Sequence, residues 1–252
     1  HAREFMISRM FRGGFAIKIE GDDHYLVESG TSGAMEVDFQ IPATHKTKLD
    51  MGTGSDILTT SWGDSSADIL KMLLALDAAA EIESGYPLRH IFMNSNTVAP
   101  LFNNSKLQAV GGTAYRIFDS FTENEIDLSK ERIPSTGYDI QFRALPLWRF
   151  HIYNGVLRVG NDVDSTTHSD HNRAIPDNYA IFTPDPSPEW IGGVEGSELV
   201  RENLMASESH QQGFHAWATP FIDPPGRELK MLDNFLPLIY IPKAVAYGQV
   251  IF

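Results

Sequence analysis

The chain has 252 residues, which is enough to bury a full hydrophobic core in one or two domains. Its 42% hydrophobic and 21% charged residues are ordinary for a globular protein and argue against general disorder. The 33 acidic and 20 basic residues give a net charge of −13, which argues against tight nonspecific nucleic-acid binding, because such binding needs Lys and Arg to neutralise phosphates.

Cysteine is absent, which excludes disulfides, thiolate metal sites and a cysteine nucleophile. This composition suits a protein made in a reducing cytosol. No apolar run approaches the ~20 residues needed to span a bilayer. The longest, 235–252, is interrupted by Pro237, Pro242 and Lys243. We therefore expect no membrane partner.

The first 41 residues predict a helix followed by strands. Residues 3–12 form a short helical pattern that Gly13-Gly14 ends. Phe15, Ile17 and Ile19 then alternate with polar or small residues, and 24–28 and 35–41 predict further strands. In the last of these, every odd residue is apolar and every even residue is polar. Because the chain begins at His1 with what looks like the end of a helix, we expect additional sequence upstream.

A long helix is predicted after Ser61-Trp62-Gly63-Asp64. Asp64, Ser65 or Ser66 is expected to cap it, with Asp68 in its first turn. Five apolar residues at helical spacing lie on one face of this helix and are predicted to be buried: Ile69, Met72, Leu73, Leu76 and Ala80. Because most other positions between 70 and 82 are also apolar, we expect the helix to be packed against other elements on more than one side. The helix should stop at 84–87, and 89–93 should form a strand.

The second half of the chain predicts more strands. Trp148, Phe150 and Ile152 alternate with more polar residues, and Asn154-Gly155 then predicts a β-hairpin leading into 156–159. With no internal repeat and no long polar linker, we predict an α+β chain of antiparallel strands, two main long helices and interleaved domains.

In order and spacing, the block from Met35 to Asn94 resembles the major capsid protein of lambda-like tailed bacteriophages, the phage capsid E family. The similar features are the Val37-Asp38-Phe39 strand, the Trp62…Asp64…Asp68-Ile69 helix start, and Ser84-Gly85 followed by Pro87 and Ile91. Further similarities follow collinearly. They are Ile175-Pro176-Asp177-Asn178 before a strand, Asp223-Pro224-Pro225-Gly226-Arg227-Glu228, and the closing segment from Leu236 to Val250. The resemblance covers nearly the whole chain, although each motif is short.

This resemblance implies the Hong Kong 97-like capsid fold, with an axial (A) and a peripheral (P) domain. Residues 1–60 would be mainly peripheral, comprising the end of the spine helix and a sheet. Residues 61–252 would be mainly axial, with C-terminal strands returning to the peripheral domain. By this resemblance, we expect the family's N-terminal arm, its extended loop and the first part of its spine helix to be missing from the sequence given.

The main rival signal is the stretch Asp162 to His171, which holds two His and three Asp within ten residues. His168, Asp170 and His171 are ligand types for Zn²⁺ or Mn²⁺ and would suit a metal-dependent hydrolase. The stretch follows a predicted hairpin and precedes a Pro-containing turn, so a polar surface loop is the favoured interpretation.

Other catalytic patterns are poorly supported. There is no Gly-x-Ser-x-Gly elbow, and 52–55 lacks the Lys and helix of a phosphate loop, so it is interpreted as a flexible crossing. The pairs Asp22-Asp23 and Asp64/Asp68 fit a turn and a helix start. The tryptophans are interpreted as core or subunit-interface anchors rather than stacking platforms. They are Trp62, Trp148, Trp190 and Trp217.

The resulting expectation is a structural protein and not an enzyme, with no catalytic, cofactor-binding or metal residues and no cofactor. By resemblance, it would be the major capsid protein of a tailed double-stranded DNA phage, forming hexamers and pentamers of an icosahedral shell. Its partners would be other copies of itself, scaffold, portal and decoration proteins, and packaged DNA held without sequence-specific binding. It would be made in the host cytoplasm and located in the virion. The shell of a cellular nanocompartment with the same fold is the alternative within this class.

Overall fold

The computed structural model describes residues 2–20, 23–27, 32–112, 114–119, 124–127, 137–158, 171–195, 197–200, 209–212, 214–221, 226–233 and 235–252. Over these ranges the fold is mixed α+β, as predicted, and its largest element is a seven-stranded sheet. The helices are α1 (Ala2–Phe11), α2 (Ile69–Ser84), α3 (Ser95–Val98) and α4 (Ser105–Gly111). Within the described ranges, no helix is both long and apolar enough to cross a membrane.

The strands, numbered in chain order, are β1 (Gly14–Glu20), β2 (Asp23–Val27), β3 (Ala34–Asp38), β4 (Lys46–Thr47), β5 (His90–Met93), β6 (Tyr115–Asp119), β7 (Gly137–Phe142), β8 (Arg149–Tyr153), β9 (Val156–Arg158), β10 (His171–Arg173), β11 (Tyr179–Thr183), β12 (Ile191–Glu195), β13 (Ser197–Val200), β14 (Ser209–Gln212), β15 (Phe214–Phe221), β16 (Gly226–Asp233), β17 (Phe235–Ile239) and β18 (Ala246–Gln249).

The large sheet has the order β4-β18-β11-β5-β8-β7-β6. Most of its pairs are antiparallel, as predicted, but β5 runs parallel to β8 and β18 runs parallel to β4. β1, β2 and β3 form a separate antiparallel sheet, and β15 pairs antiparallel with β16. The prediction of antiparallel pairing is therefore wrong for the two parallel pairs.

The large sheet separates two hydrophobic cores because successive strand residues point to opposite faces. Ile91, Met93, Phe150 and Ile152 belong to the larger core, which also contains the buried face of α2. Phe92, Tyr153 and Ile181 pack into the second core with residues of α1. We call these the α2 face and the α1 face of the sheet.

Aromatic contacts attach α1 to its face of the sheet. The ring centroid of Phe11 lies 6.3 Å from that of Phe92 and 6.4 Å from that of Trp190. Met10, beside it on the helix, is fully buried. The helix ends at Phe11, one residue before the predicted end, and Gly13 in the following turn has a φ of +111°, which suits a residue without a side chain.

The buried face of α2 agrees with the helical spacing, but its start and outer face differ from the prediction. Asp68 is the N-cap, and its carboxylate accepts a hydrogen bond from the backbone N–H of Lys71. Asp64 instead accepts bonds from the N–H and hydroxyl of Ser66, so it is engaged in the preceding turn. The predicted cover on a second side is wrong, because Leu74 is 48% and Ile82 is 88% exposed.

The predicted Asn154-Gly155 hairpin is also wrong. β8 already has β5 on one edge and β7 on the other, so no edge is free for β9. Asn154 instead accepts a hydrogen bond from the backbone N–H of Ser95 at the start of α3. β9 leaves the sheet and pairs with β10.

The strand predicted over 35–41 is shorter and less regular than its alternation implies. β3 ends at Asp38, and Gln40 has a φ of +56° that extended backbone does not adopt. Met35 is 57% exposed, whereas Phe39 and Ile41, beyond the strand, are buried in the second core. The apolar residues of this segment are therefore buried mainly after the strand has ended.

The Ile175–Asn178 turn is positioned by the buried side chain of Asn94. Its amide donates to the Ile175 carbonyl at 3.0 Å and to the Asp177 carboxylate at 2.7 Å. Asn178 then adopts a φ of +72°, a conformation that Asn tolerates better than most residues. β11 begins at the next residue, so this segment precedes a strand, as the sequence predicted, and that strand lies inside the large sheet.

Candidate functional site

The metal ligands considered for a hydrolase lie outside the described residues. His168 and Asp170 fall in the gap 159–170, and for His171 only the backbone, at the start of β10, is described. Among the described residues, no group of three or more His, Asp or Glu side chains is arranged to hold a metal ion. The metal hypothesis over 162–171 therefore stays a prediction.

The glycine-rich segment 52–55 forms a turn around Asp50. The Asp50 carbonyl accepts a hydrogen bond from the Thr53 hydroxyl at 2.7 Å, and its carboxylate accepts one from the N–H of Gly54. Gly52 and Gly54 both have positive φ angles, which glycine adopts at low cost. These contacts account for the local sequence without a phosphate ligand.

Three of the four tryptophans are core residues. Trp62, Trp148 and Trp190 are each at most 1% exposed. Trp62 makes an edge-to-face contact with Phe182, with centroids 6.1 Å apart. None of these three rings is available as a stacking platform, in agreement with the prediction that they are anchors.

A chain of four polar side chains, ranging from buried to exposed, lies on the α1 face of the sheet, and we call it the histidine chain. It consists of Asp139 on β7, His151 on β8, His90 on β5 and Asp185 just after β11. His151 Nδ1 lies 2.9 Å from Asp139 Oδ1, and His151 Nε2 lies 2.7 Å from His90 Nδ1. His90 Nε2 completes the chain, 2.9 Å from Asp185 Oδ1.

The strand pairing explains why these residues meet. Asp139 and His151 are directly opposite each other in the antiparallel β7–β8 pair, where cross-strand side chains are close. The parallel β5–β8 pair sets Phe92 opposite His151 and His90 opposite Arg149, so His90 reaches His151 along a diagonal. The His90 and His151 rings stack with centroids 4.9 Å apart, and the His151 ring also stacks on Phe92 at 4.6 Å.

The electrostatic surroundings change along the histidine chain. The Asp139 side chain is only 4% exposed and also lies beside Arg149, with Nε 2.7 Å from Oδ2. The Asp185 side chain at the other end is 78% exposed. Burial lowers the pKa of His90, while the hydrogen bond to Asp185 opposes that shift.

The geometry of the histidine chain suits holding a proton better than catalysing a reaction. All four ring nitrogens of the two histidines already contact a partner. Neither ring therefore presents a free nitrogen to a nucleophile or a substrate, which general-base catalysis requires.

An apolar cavity of about 300 Å³ adjoins His151, lined on the α1 side by Ile7, Ser8 and Phe11.

Sequence reasoning missed the histidine chain. His90 and His151 are 61 residues apart, and only the unpredicted parallel pairing of β5 with β8 brings them together. The available signal was weak. Arg149 and His151 alternate with buried Phe150 and Ile152, but polar residues at such positions usually face solvent.

A third histidine, His45, lies at the edge of the large sheet. His45 is fully buried, and its Nδ1 lies 3.1 Å from the carbonyl oxygen of Val245. Its Nε2 has no hydrogen-bond partner in the described part of the chain. Burial lowers the pKa of His45, and the bond to Val245 only partly opposes this shift.

We expect the protein to lose stability as the pH falls below about 6.5, the ordinary pKa of histidine. His45 and His90 have lowered pKa values in the folded state, so the unfolded chain binds more protons between that value and 6.5. Stability therefore rises with pH across this window. Urea unfolding from pH 5 to 8 measures the slope.

The variant His45→Asn tests the contribution of His45 to that slope. Its amide N–H can replace the bond to Val245 but does not titrate, so the slope should be shallower than in the wild type. An unchanged slope would show that His45 does not contribute to the pH dependence.

Of the comparisons with known proteins, the one with solved structures finds a protein of similar fold. No family model and no curated protein sequence matches the chain. Among solved structures, the chain matches the crystal structure of a protein described as the "putative capsid protein of prophage (E.coli CFT073)". The TM-score is 0.58 at 13% sequence identity. The match covers 99% of this chain and 62% of that protein, so the chain spans less than two thirds of its length. The likeness shows a shared fold of the kind found in a phage capsid protein.

Proposed function

We propose that this chain is a phage capsid subunit, the major capsid protein of a tailed double-stranded DNA phage. The observation that carries the proposal is the fold match to a prophage capsid protein over 99% of the chain. The short collinear motifs that resemble the lambda-like capsid E family suggest the same class, while no family model matches the chain. The Hong Kong 97-like fold, with a mainly peripheral unit over 1–60 and a mainly axial unit over 61–252, is part of this proposal.

The mechanism we propose is assembly and not catalysis. Copies associate into hexamers and pentamers, and closure of an icosahedral shell adds many modest interfaces into one stable particle. The net charge of −13 suits a shell that encloses DNA without gripping its phosphates. Scaffold, portal and decoration proteins are the further partners. Synthesis takes place in the host cytoplasm and the final location is the virion.

Assembly predicts that the purified full-length protein forms rings or closed shells far larger than the 28.1 kDa chain. Light scattering over a range of protein and salt concentrations, with and without a scaffold protein, measures the size. Negative-stain images then distinguish rings and shells from irregular aggregates. A monodisperse monomer under every one of these conditions would contradict the proposal.

A further inference from the structure

The histidine chain constrains the number of protons that its two rings hold. Ionised Asp139 and Asp185 can only accept hydrogen bonds, so His151 Nδ1 and His90 Nε2 must each carry a proton. The central contact, 2.7 Å between His151 Nε2 and His90 Nδ1, needs one proton between its two nitrogens. Three protons on two imidazole rings correspond to one positive charge shared by the pair.

Every other protonation state breaks one of the three contacts. Two neutral rings carry two protons in total, so one contact loses its hydrogen. Two charged rings carry four protons, and two N–H groups would then face each other in the central contact. The complete chain therefore exists only while the pair carries a single positive charge.

We propose that His90 and His151 form a shared-proton latch that fastens the segment Pro184–Pro188 to the α1 face of the sheet. The latch is complete when the pair holds one positive charge. Loss of that charge leaves one of the three contacts without a hydrogen, and addition of a second charge breaks the central contact between the two rings. This inference rests on the geometry of the histidine chain and is independent of the proposed function.

The charges around the pair determine where the latch closes. Asp139 from β7 and Asp185 after β11 favour the single charge, whereas Arg149 from β8 opposes it. The α1 residues beside His151 are Ile7, Ser8 and Phe11, none of which titrates. Burial of His90 also opposes the charge and lowers the pKa of this ring.

The latch is connected to the second core through Trp190. The indole N–H of Trp190 donates to the backbone carbonyl of Asp185 at 2.8 Å, and the buried Trp190 ring contacts Phe11 of α1. Movement of Asp185 away from His90 would change this indole hydrogen bond. Trp190 therefore reports on the latch from inside the protein.

The test is magic-angle-spinning NMR of the full chain labelled with ¹⁵N-histidine and ¹⁵N-tryptophan, from pH 4 to 8. This method applies to monomers and to large particles alike. In the wild type we expect His90 and His151 to titrate in two coupled steps, with the singly charged pair between them. The Trp190 indole signal should shift at the step in which the single charge is lost.

Asp185→Asn and Asp56→Asn form a matched pair of variants. Asp185→Asn removes one carboxylate from the latch at an exposed position and should weaken binding of the shared proton by roughly tenfold. Asp56, in an exposed ion pair with Lys48, lies outside the latch, so Asp56→Asn should leave both histidine titrations unchanged. Independent titration of the two rings, unaffected by Asp185→Asn, would overturn the latch, as would a Trp190 signal that ignores their steps.

Discussion

Replacing Leu73 with alanine is expected to lower the free energy of unfolding by about 2–5 kcal/mol. Leu73 is 1% exposed and lies on the face of α2 that packs into the larger core. The change removes buried methyl groups and leaves a cavity that the surrounding side chains fill only in part. In a shell-forming protein, a loss of this size should also appear as insoluble chains or failed assembly. Urea unfolding and the yield of soluble particles measure the two effects.

Leu74 provides the matched control, because it is the next residue of the same helix and has the same side chain. It is 48% exposed, so Leu74→Ala should change stability by about 1 kcal/mol or less. Equal losses in the two variants would show that α2 does not turn Leu73 towards the core and Leu74 towards solvent. An unchanged melting temperature in Leu73→Ala would contradict its place in the core.

Replacing Asp139 with alanine is expected to cost about 2–4 kcal/mol of stability, because Arg149 and His151 would lose the buried carboxylate that they contact. The Asp139 side chain is 4% exposed and lies 2.7 Å from Arg149 Nε and 2.9 Å from His151 Nδ1. Arg149 keeps 33% of its side chain in solvent, which places the expected loss below that for a fully buried pair. Urea unfolding at pH 7 measures it.

Two further variants separate the burial of Asp139 from ion pairing in general. Asp56→Ala removes an exposed carboxylate from its pair with Lys48 and should cost at most about 1 kcal/mol. The double variant Asp139→Leu with Arg149→Met replaces the buried pair by apolar groups and should lose less stability than Asp139→Ala. An Asp139→Ala variant as stable as Asp56→Ala would show that the buried contacts of the Asp139 carboxylate contribute no more stability than an exposed ion pair.

Local sequence patterns predicted the helices and strands of this fold better than they predicted which strands pair with each other. The helical spacing of Ile69, Leu73 and Leu76 identified the buried face of α2, and Gly85 marked its end. The Asn154-Gly155 dipeptide has the local chemistry of a hairpin, yet β8 forms its pairs with β5 and β7. Strand partners depend on which sheet edges are already occupied, and no short stretch of sequence records that.

The histidine chain escaped prediction for a related reason. Each of its members is an ordinary polar residue in or next to a strand, and their juxtaposition depends on three separate strand pairings. By contrast, the Asp162–His171 cluster attracted attention because its residues are adjacent in the sequence. The cluster that is compact in the sequence has side chains outside the described residues, whereas the histidine chain is compact only in the folded structure.

The position of β18 has a consequence for how the chain is made. β18 lies between β4 and β11, and the adjoining contact of His45 with Val245 joins residues 200 positions apart. A ribosome therefore synthesises β4 and β11 long before the strand that fits between them. Until that strand emerges, both carry an unpaired edge, and polypeptides truncated before residue 246 cannot complete the sheet. Translation thus delays closure of the largest sheet to its final stage, so only chains made at least that far can complete it.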